Sequence, residues 1–313
     1  MLVSGLVVVA ASAQRWPSSS TTTAPTSVPT AEATAAAAAA PTTTASASWP
    51  TVDGPEGKAS CAIHDPGPGP YEPEWRKLPI GRMVVPSPAP TDAYDLVVHL
   101  HGGEGARRVV ASAGLGVVLV VVDAGIGSRA YAETFYGPEP LEEILAGVDE
   151  VLAPAQLRHL VVSSWSAGYG GVREILKQHP TAPSGVVLLD SVHTSFGPDG
   201  ASLVTEGLAP FVNLADRALH DGAVVVLTHS AISPPGYAST TEVADYLLEE
   251  IGGRRRYGGL VSRRGVELKT RYDEGSFHLR GYTGTDKGAH CAHLSMLGEI
   301  LKDDVLPDLP AVE

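Results

Sequence analysis

Ser166 lies in the middle of Ser164-Trp165-Ser166-Ala167-Gly168, between the apolar run His159-Leu160-Val161-Val162 and a helix-patterned stretch over residues 172–178. At the apex of a sharp strand-to-helix turn a serine is held in a strained backbone conformation. Its side chain is lifted above the sheet if its neighbours are small. Ala167 and Gly168 supply that smallness. The helix starting behind such a turn aims unpaired N–H groups at any oxyanion formed on a substrate. The chemistry is nucleophilic acyl transfer. It needs a base, because a neutral serine hydroxyl is a weak nucleophile near pH 7.

Upstream, Asp95-Leu96-Val97-Val98-His99-Leu100 reads as a strand that runs into His101-Gly102-Gly103. A strand ending in His-Gly-Gly resembles the oxyanion loop of the α/β-hydrolase family. With the serine turn following in the right order, the chain is similar to that family over residues 80–306. One position departs from the usual G-x-S-x-G pattern: its first glycine is Ser164, the next smallest polar choice.

The resemblance implies a cofactor-free serine mechanism, with the N–H groups of Gly102 or Gly103 and of Ala167 forming the oxyanion hole. It also implies the chain order serine, acid, histidine, with the histidine between the last strand and the last helix. His290 and His293 both lie there. His290 is preferred because Gly288 and Ala289 leave its ring free to turn toward Ser166, whereas His293 adjoins the apolar stripe that starts at Leu294. Asp190 ends the strand-like run after the serine turn and is the choice for the acid, with Asp286 as the alternative. In most family members the acid follows the next strand. Here that strand runs into His229-Ser230-Ala231-Ile232, with no carboxylate before Glu242. Trp165 and Tyr131 are candidates for the substrate pocket, or else core residues.

These groups need a frame that brings several strand ends to one edge. Residues 116–122 are apolar without alternation, as expected of a strand covered on both faces. Leu141, Ile144, Leu145, Val148 and Leu152 recur at helical spacing. Strand-like runs over residues 185–189, 223–228 and 277–282 alternate with helical runs through Val243, Leu247 and Leu248 and through Leu294, Leu297 and Leu301. Buried strands alternating with amphipathic helices predict an α/β domain over residues 61–313, a doubly wound, mostly parallel sheet with helices on both faces.

Residues 17–50 are almost entirely Ser, Thr, Ala and Pro, so residues 14–60 read as a disordered linker with no periodicity able to bury surface. Residues 2–13 are apolar and end in Ala11-Ser12-Ala13, which reads as a secretory signal over 1–13, although no basic residue precedes Arg15. The run is too short to span a membrane comfortably, and the mature protein is expected to be exported. The net charge of −13 falls after residue 50, where it argues against nucleic acid and anionic membrane as partners. One basic stretch, Arg254 to Arg271, reads as a solvated segment balanced by nearby acids. In an exported protein Cys61 and Cys291 are a candidate disulfide that would pin the segment beside His290.

The expected substrate is a small-molecule or polymer ester. Two other uses of the same residues are a metal site built on His99-x-His101 with Asp123, His290 and His293, and a non-catalytic binding module of the same fold.

Overall fold

Valine and leucine fill the strands that become the middle of the sheet. Val118–Val122 is apolar at every position and buried at every position. The computed structural model describes residues 61–311 apart from 221 and 260. Residues 1–13 and 14–60, read above as signal and linker, lie outside the described residues.

In chain order the elements are β1 (Arg76–Lys77), β2 (Arg82–Val84), β3 (Ala93–Leu100), α1 (Gly103–Ala113), β4 (Val118–Val122), α2 (Ser128–Thr134), α3 (Glu139–Leu152), β5 (Gln156–Trp165), α4 (Tyr169–Gln178), β6 (Gly185–Leu189) and α5 (Ala209–His220). They continue with β7 (Val224–His229), α6 (Thr240–Glu250), β8 (Arg256–Tyr257), β9 (Ser262–Arg263), β10 (Val266–Glu274), β11 (Phe277–Tyr282), α7 (Lys287–Ser295) and α8 (Leu297–Ile300). The strands form one sheet in the order β1-β2-β4-β3-β5-β6-β7-β11-β10-β8. From β4 to β11 all neighbours are parallel, and antiparallel strands flank this block at both edges.

Alternate residues of each central strand supply two different cores. Leu96, Val98 and Leu100 pack with Ile144, Val172, Phe211 and Val243 of α3 to α6. Val97, Leu119 and Val121 pack on the other face with Val109, Leu294, Leu297 and Ile300 of α1, α7 and α8. This is the doubly wound α/β arrangement, with helices on both faces of a mostly parallel sheet, that the sequence implies. Among the described residues no helix is long and apolar enough to cross a membrane.

Two parts of the sheet and its cover were not legible beforehand. The basic stretch contains β8, β9 and most of β10, whose buried Val266, Leu268 and Tyr272 alternate with exposed charges. Such a pattern suits an antiparallel edge with one wet face. Acids answer the cations: Arg255 pairs with Asp245, Arg263 with Asp303 and Asp304, and Arg264 with Glu299. Helix α5 buries Phe211, Leu214, Ala215 and Ala218 at helical spacing.

Candidate active site

Three neighbouring strands end level with one another. Leu100 of β3 pairs with Ser164 of β5, and Trp165 of β5 pairs with Leu189 of β6. The residue that follows each strand, His101, Ser166 and Asp190, has a positive φ of 75°, 51° and 45° respectively. Left-handed backbone costs a non-glycine residue about 1–2 kcal/mol, so three such residues in a row mark a place where the surrounding fold holds strain. Each one breaks its strand and turns a side chain out at the C-terminal edge of the sheet, where ligands bind in open α/β sheets.

The turn at Ser166 requires close approach of its neighbours. A Cβ on Gly168 would lie 2.2 Å from the Leu100 carbonyl oxygen, and one on Gly170 would lie 2.0 Å from that of Ser128. Ser164, where the pattern has glycine, is accommodated because its hydroxyl pairs with that of Ser191. Among the described residues Ser166 Oγ makes no hydrogen bond, and catalytic contacts of this kind often close only with substrate bound.

Asp190 is 2% exposed and its carboxylate is filled on every side. Oδ2 accepts from His290 Nδ1 at 2.7 Å. Oδ1 accepts from the Thr240 hydroxyl at 2.6 Å and from the Ser230 N–H at 2.9 Å. Burial pushes this carboxyl up, but the His293 and His290 imidazoles and the donated hydrogen bonds outweigh it and hold the group well below the usual carboxylate range. With Nδ1 committed as a donor, the other ring nitrogen of His290 is left as the basic one. Trp165, the neighbour of Ser166, keeps this ring at the turn. Its indole N–H donates to the His290 carbonyl at 3.0 Å and the two rings lie 4.7 Å apart. Ser230 and Thr240 were not anticipated, and nothing in their local sequence marks them.

The alternatives are placed elsewhere. Asp286 caps α7 by accepting from the Ala289 N–H at 2.9 Å. His293 is fully buried, with Nδ1 2.7 Å from the Thr228 hydroxyl, and burial pushes it down to about 4.

The structure narrows three readings that the sequence left open. The Gly103 N–H donates to Asp123 Oδ1 at 3.0 Å, so it is spent on anchoring α1. Trp165 and Tyr131 are both 0% exposed, so neither lines a pocket. Both instead hold His101 from below: the Tyr131 hydroxyl lies 2.7 Å from His101 Nδ1, and the Trp165 ring stacks on the imidazole at 5.3 Å.

His99 cannot anchor a metal alongside His101. Its Nε2–H donates to the His101 carbonyl at 2.8 Å, which leaves Nδ1 to accept from the Ser163 hydroxyl at 2.5 Å. Burial pushes both histidines down to about 4. Among the described residues no three His, Cys, Asp or Glu side chains are grouped to hold a metal ion. Cys61 and Cys291 form a disulfide that ties the residue next to His290 to the first described residue.

No protein-family model matches the chain, and no curated protein matches it significantly. Among solved structures it is similar to an S-formylglutathione hydrolase from Agrobacterium tumefaciens, at 15% identity over 73% of this chain and 89% of that one, with a TM-score of 0.45. A carboxylesterase from Bacillus subtilis is 9% identical over 77% of this chain and 93% of that one, with a TM-score of 0.43. The ferric enterobactin esterase from Salmonella typhimurium is 14% identical over 71% of this chain and 55% of that one, with a TM-score of 0.42. These likenesses are of fold, and what each of those proteins cleaves is a property of that protein.

Proposed function

We propose that this chain is an exported serine hydrolase that cleaves carboxylic esters through an acyl-enzyme on Ser166. The observation that carries this reading is the hydrogen bond between His290 Nδ1 and the buried Asp190 at 2.7 Å, beside a serine held at φ 51° on the strand-to-helix turn. Ser166 Oγ attacks the ester carbonyl as His290 Nε2 takes its proton. Asp190 stays ionised, fixes the imidazole tautomer and stabilises the imidazolium that forms. The tetrahedral oxyanion is met by the N–H groups of Gly102 and Ala167, and His290 then protonates the departing alcohol. Water, deprotonated by the same histidine, releases the acid and restores the serine. Export is supported by the disulfide between Cys61 and Cys291, a bond that persists in oxidising compartments.

The experiment is covalent labelling of the full chain with a fluorophosphonate probe. The wild type is expected to label, Ser166→Ala to lose labelling completely, and His290→Ala to label on the order of a thousandfold more slowly. A folded wild type that does not label would instead favour the binding module.

A further inference from the structure

A cavity of about 450 Å³ opens beside the catalytic acid, lined by Phe196, Ile232, Pro234, Tyr237, Thr241 and Glu242 among others. This is within the range of small-molecule sites. Its floor is the start of α6. Thr240, set between the lining residues Ser239 and Thr241, is the residue whose hydroxyl binds Asp190 at 2.6 Å.

A run of ring contacts extends from the cavity wall toward the start of α4. Tyr169, three residues after Ser166, meets His193 edge-on at 5.9 Å, and His193 meets Tyr237 edge-on at 5.1 Å. The His193 Nδ1–H donates to the Ala238 carbonyl at 3.1 Å, so its ring is held in one orientation against Tyr237.

The side on which this cavity lies decides which half of the substrate it meets. In the sheet β3, which carries the oxyanion loop, lies on one side of β5, and β6 and β7 lie on the other. The cavity is built from segments that follow β6 and β7, on the flank of Asp190 and His290. The alcohol oxygen of an ester must face His290 to receive its proton, so the alcohol lies on this flank too. The lining holds two aromatic rings, three aliphatic residues, three hydroxyl side chains, one carboxylate and no basic side chain, a surface that suits a neutral aryl-alkyl alcohol and repels an anion.

Resting on the serine-hydrolase reading above, we infer that this cavity is the alcohol subsite and that it selects esters of uncharged aryl-alkyl alcohols. Tyr237 and Phe196 are its specificity-determining walls, and Glu242 excludes carboxylate-bearing alcohols.

The test uses the full chain and three acetates with one acyl group and similar aliphatic leaving groups: ethyl acetate, 2-phenylethyl acetate, and the same phenylethyl ester with a para-carboxylate. Hydrolysis is followed by pH-stat, and binding of 2-phenylethanol is followed by NMR. The expected kcat/KM for 2-phenylethyl acetate exceeds the other two by about tenfold or more. Tyr237→Ala is expected to collapse the preference over ethyl acetate, mainly through KM. Glu242→Gln, which can keep the helix cap, is expected to narrow the discrimination against the carboxylate. Equal kcat/KM for ethyl and phenylethyl acetate in the wild type overturns the inference, as does a Tyr237→Ala loss shared equally by both. If no acetate is cleaved but 2-phenylethanol binds and Tyr237→Ala abolishes binding, the subsite stands and the catalytic reading fails. If neither cleavage nor binding occurs, the subsite fails as well.

Discussion

The hydroxyl of Ser164 donates to that of Ser191 across 2.6 Å, and Ser191 in turn donates to the backbone oxygen of Ser166 at 3.0 Å. A carbonyl can only accept, so Ser191's one proton is spent on Ser166 and the direction of both bonds follows. The residue that departs from the usual glycine is therefore tied into the turn that presents the nucleophile.

Ser191→Ala removes the donor to Ser166 and leaves the buried Ser164 hydroxyl without its partner. A stability loss of about 1–3 kcal/mol is expected, together with about a tenfold fall in the rate of fluorophosphonate labelling, because the turn is less firmly held. Ser164→Gly, which leaves the Ser191 bond to Ser166 intact, is expected to label within about threefold of wild type. Thermal melts and labelling rates check both, and equal rates for wild type and Ser191→Ala would remove the bracing role.

Gly102 has a positive φ of 77°, and a Cβ there would lie 2.9 Å from the Trp165 ring and 3.0 Å from Leu294. Backbone strain and ring contact therefore act together, and neither neighbour is a loose surface side chain. Gly102→Ala is expected to cost about 1–3 kcal/mol and to lower kcat more than KM, because its N–H serves the oxyanion of the transition state. Ester kinetics on the folded variant provide the check. A rise in KM alone would place Gly102 outside the oxyanion hole.

How much of this was legible beforehand depended on whether each feature is local. Unbroken apolar runs such as Val118–Val122 announce buried parallel strands, and Ser166, His290 and Asp190 were read because each stands at the end of such a run or beside its helix. Asp190 was reachable although it follows an earlier strand than is usual, because the later strand ends in His229-Ser230 with no acid to offer. Contacts that close only in three dimensions left no mark: nothing near Thr240 or Ser230 indicates that both donate to Asp190. The choice between Gly102 and Gly103 stayed open for the same reason, since the partner of the Gly103 N–H, Asp123, lies twenty residues away after β4. Trp165 and Tyr131 stayed open between pocket and core because an aromatic near a candidate nucleophile reads the same either way, and burial places both in the core.

Acid should unfold this protein early. Burial pushes His99, His101, His229 and His293 down to about 4, whereas in the unfolded chain histidine titrates near 6.5. Between those values the unfolded state binds protons that the native state refuses, so stability is complete about a pH unit above 6.5 and falls as pH drops toward 4. Asp190, whose pKa is depressed when folded, loses its contribution only at lower pH. Thermal melts are expected to be flat from pH 8.5 to 7.5, to begin falling near pH 7 and to drop by about 10 °C or more by pH 4.5. A Tm that holds or rises over that interval would contradict the buried neutral state of these histidines.

Cys61 and Cys291 are 230 residues apart in sequence, and Cys291 adjoins His290, the proposed base. Removing the bond by Cys61→Ser is expected to cost about 2–4 kcal/mol and to lower activity even below the melting transition, because the start of α7 loses its tether. The reading to make is kcat at a temperature where circular dichroism shows the variant folded. A fully folded variant with wild-type kcat would reduce the disulfide to a stabilising role.

The two candidate acids give opposite outcomes on substitution. Asp190 accepts from His290 Nδ1 and fixes which ring nitrogen carries the proton, so Asp190→Asn offers a donor where the mechanism needs an acceptor. The amide is then satisfied by the wrong imidazole tautomer, and kcat is expected to fall on the order of a thousandfold or more with KM nearly unchanged. Asp286 only caps α7, so Asp286→Ala is expected to lose about 1 kcal/mol of stability and to keep kcat within about threefold once folded. Steady-state kinetics on both variants separate the roles. A large kcat loss in Asp286→Ala with Asp190→Asn still active would move the acid to the start of α7 and leave Asp190 a structural carboxylate that ties β6 to α6 through Thr240.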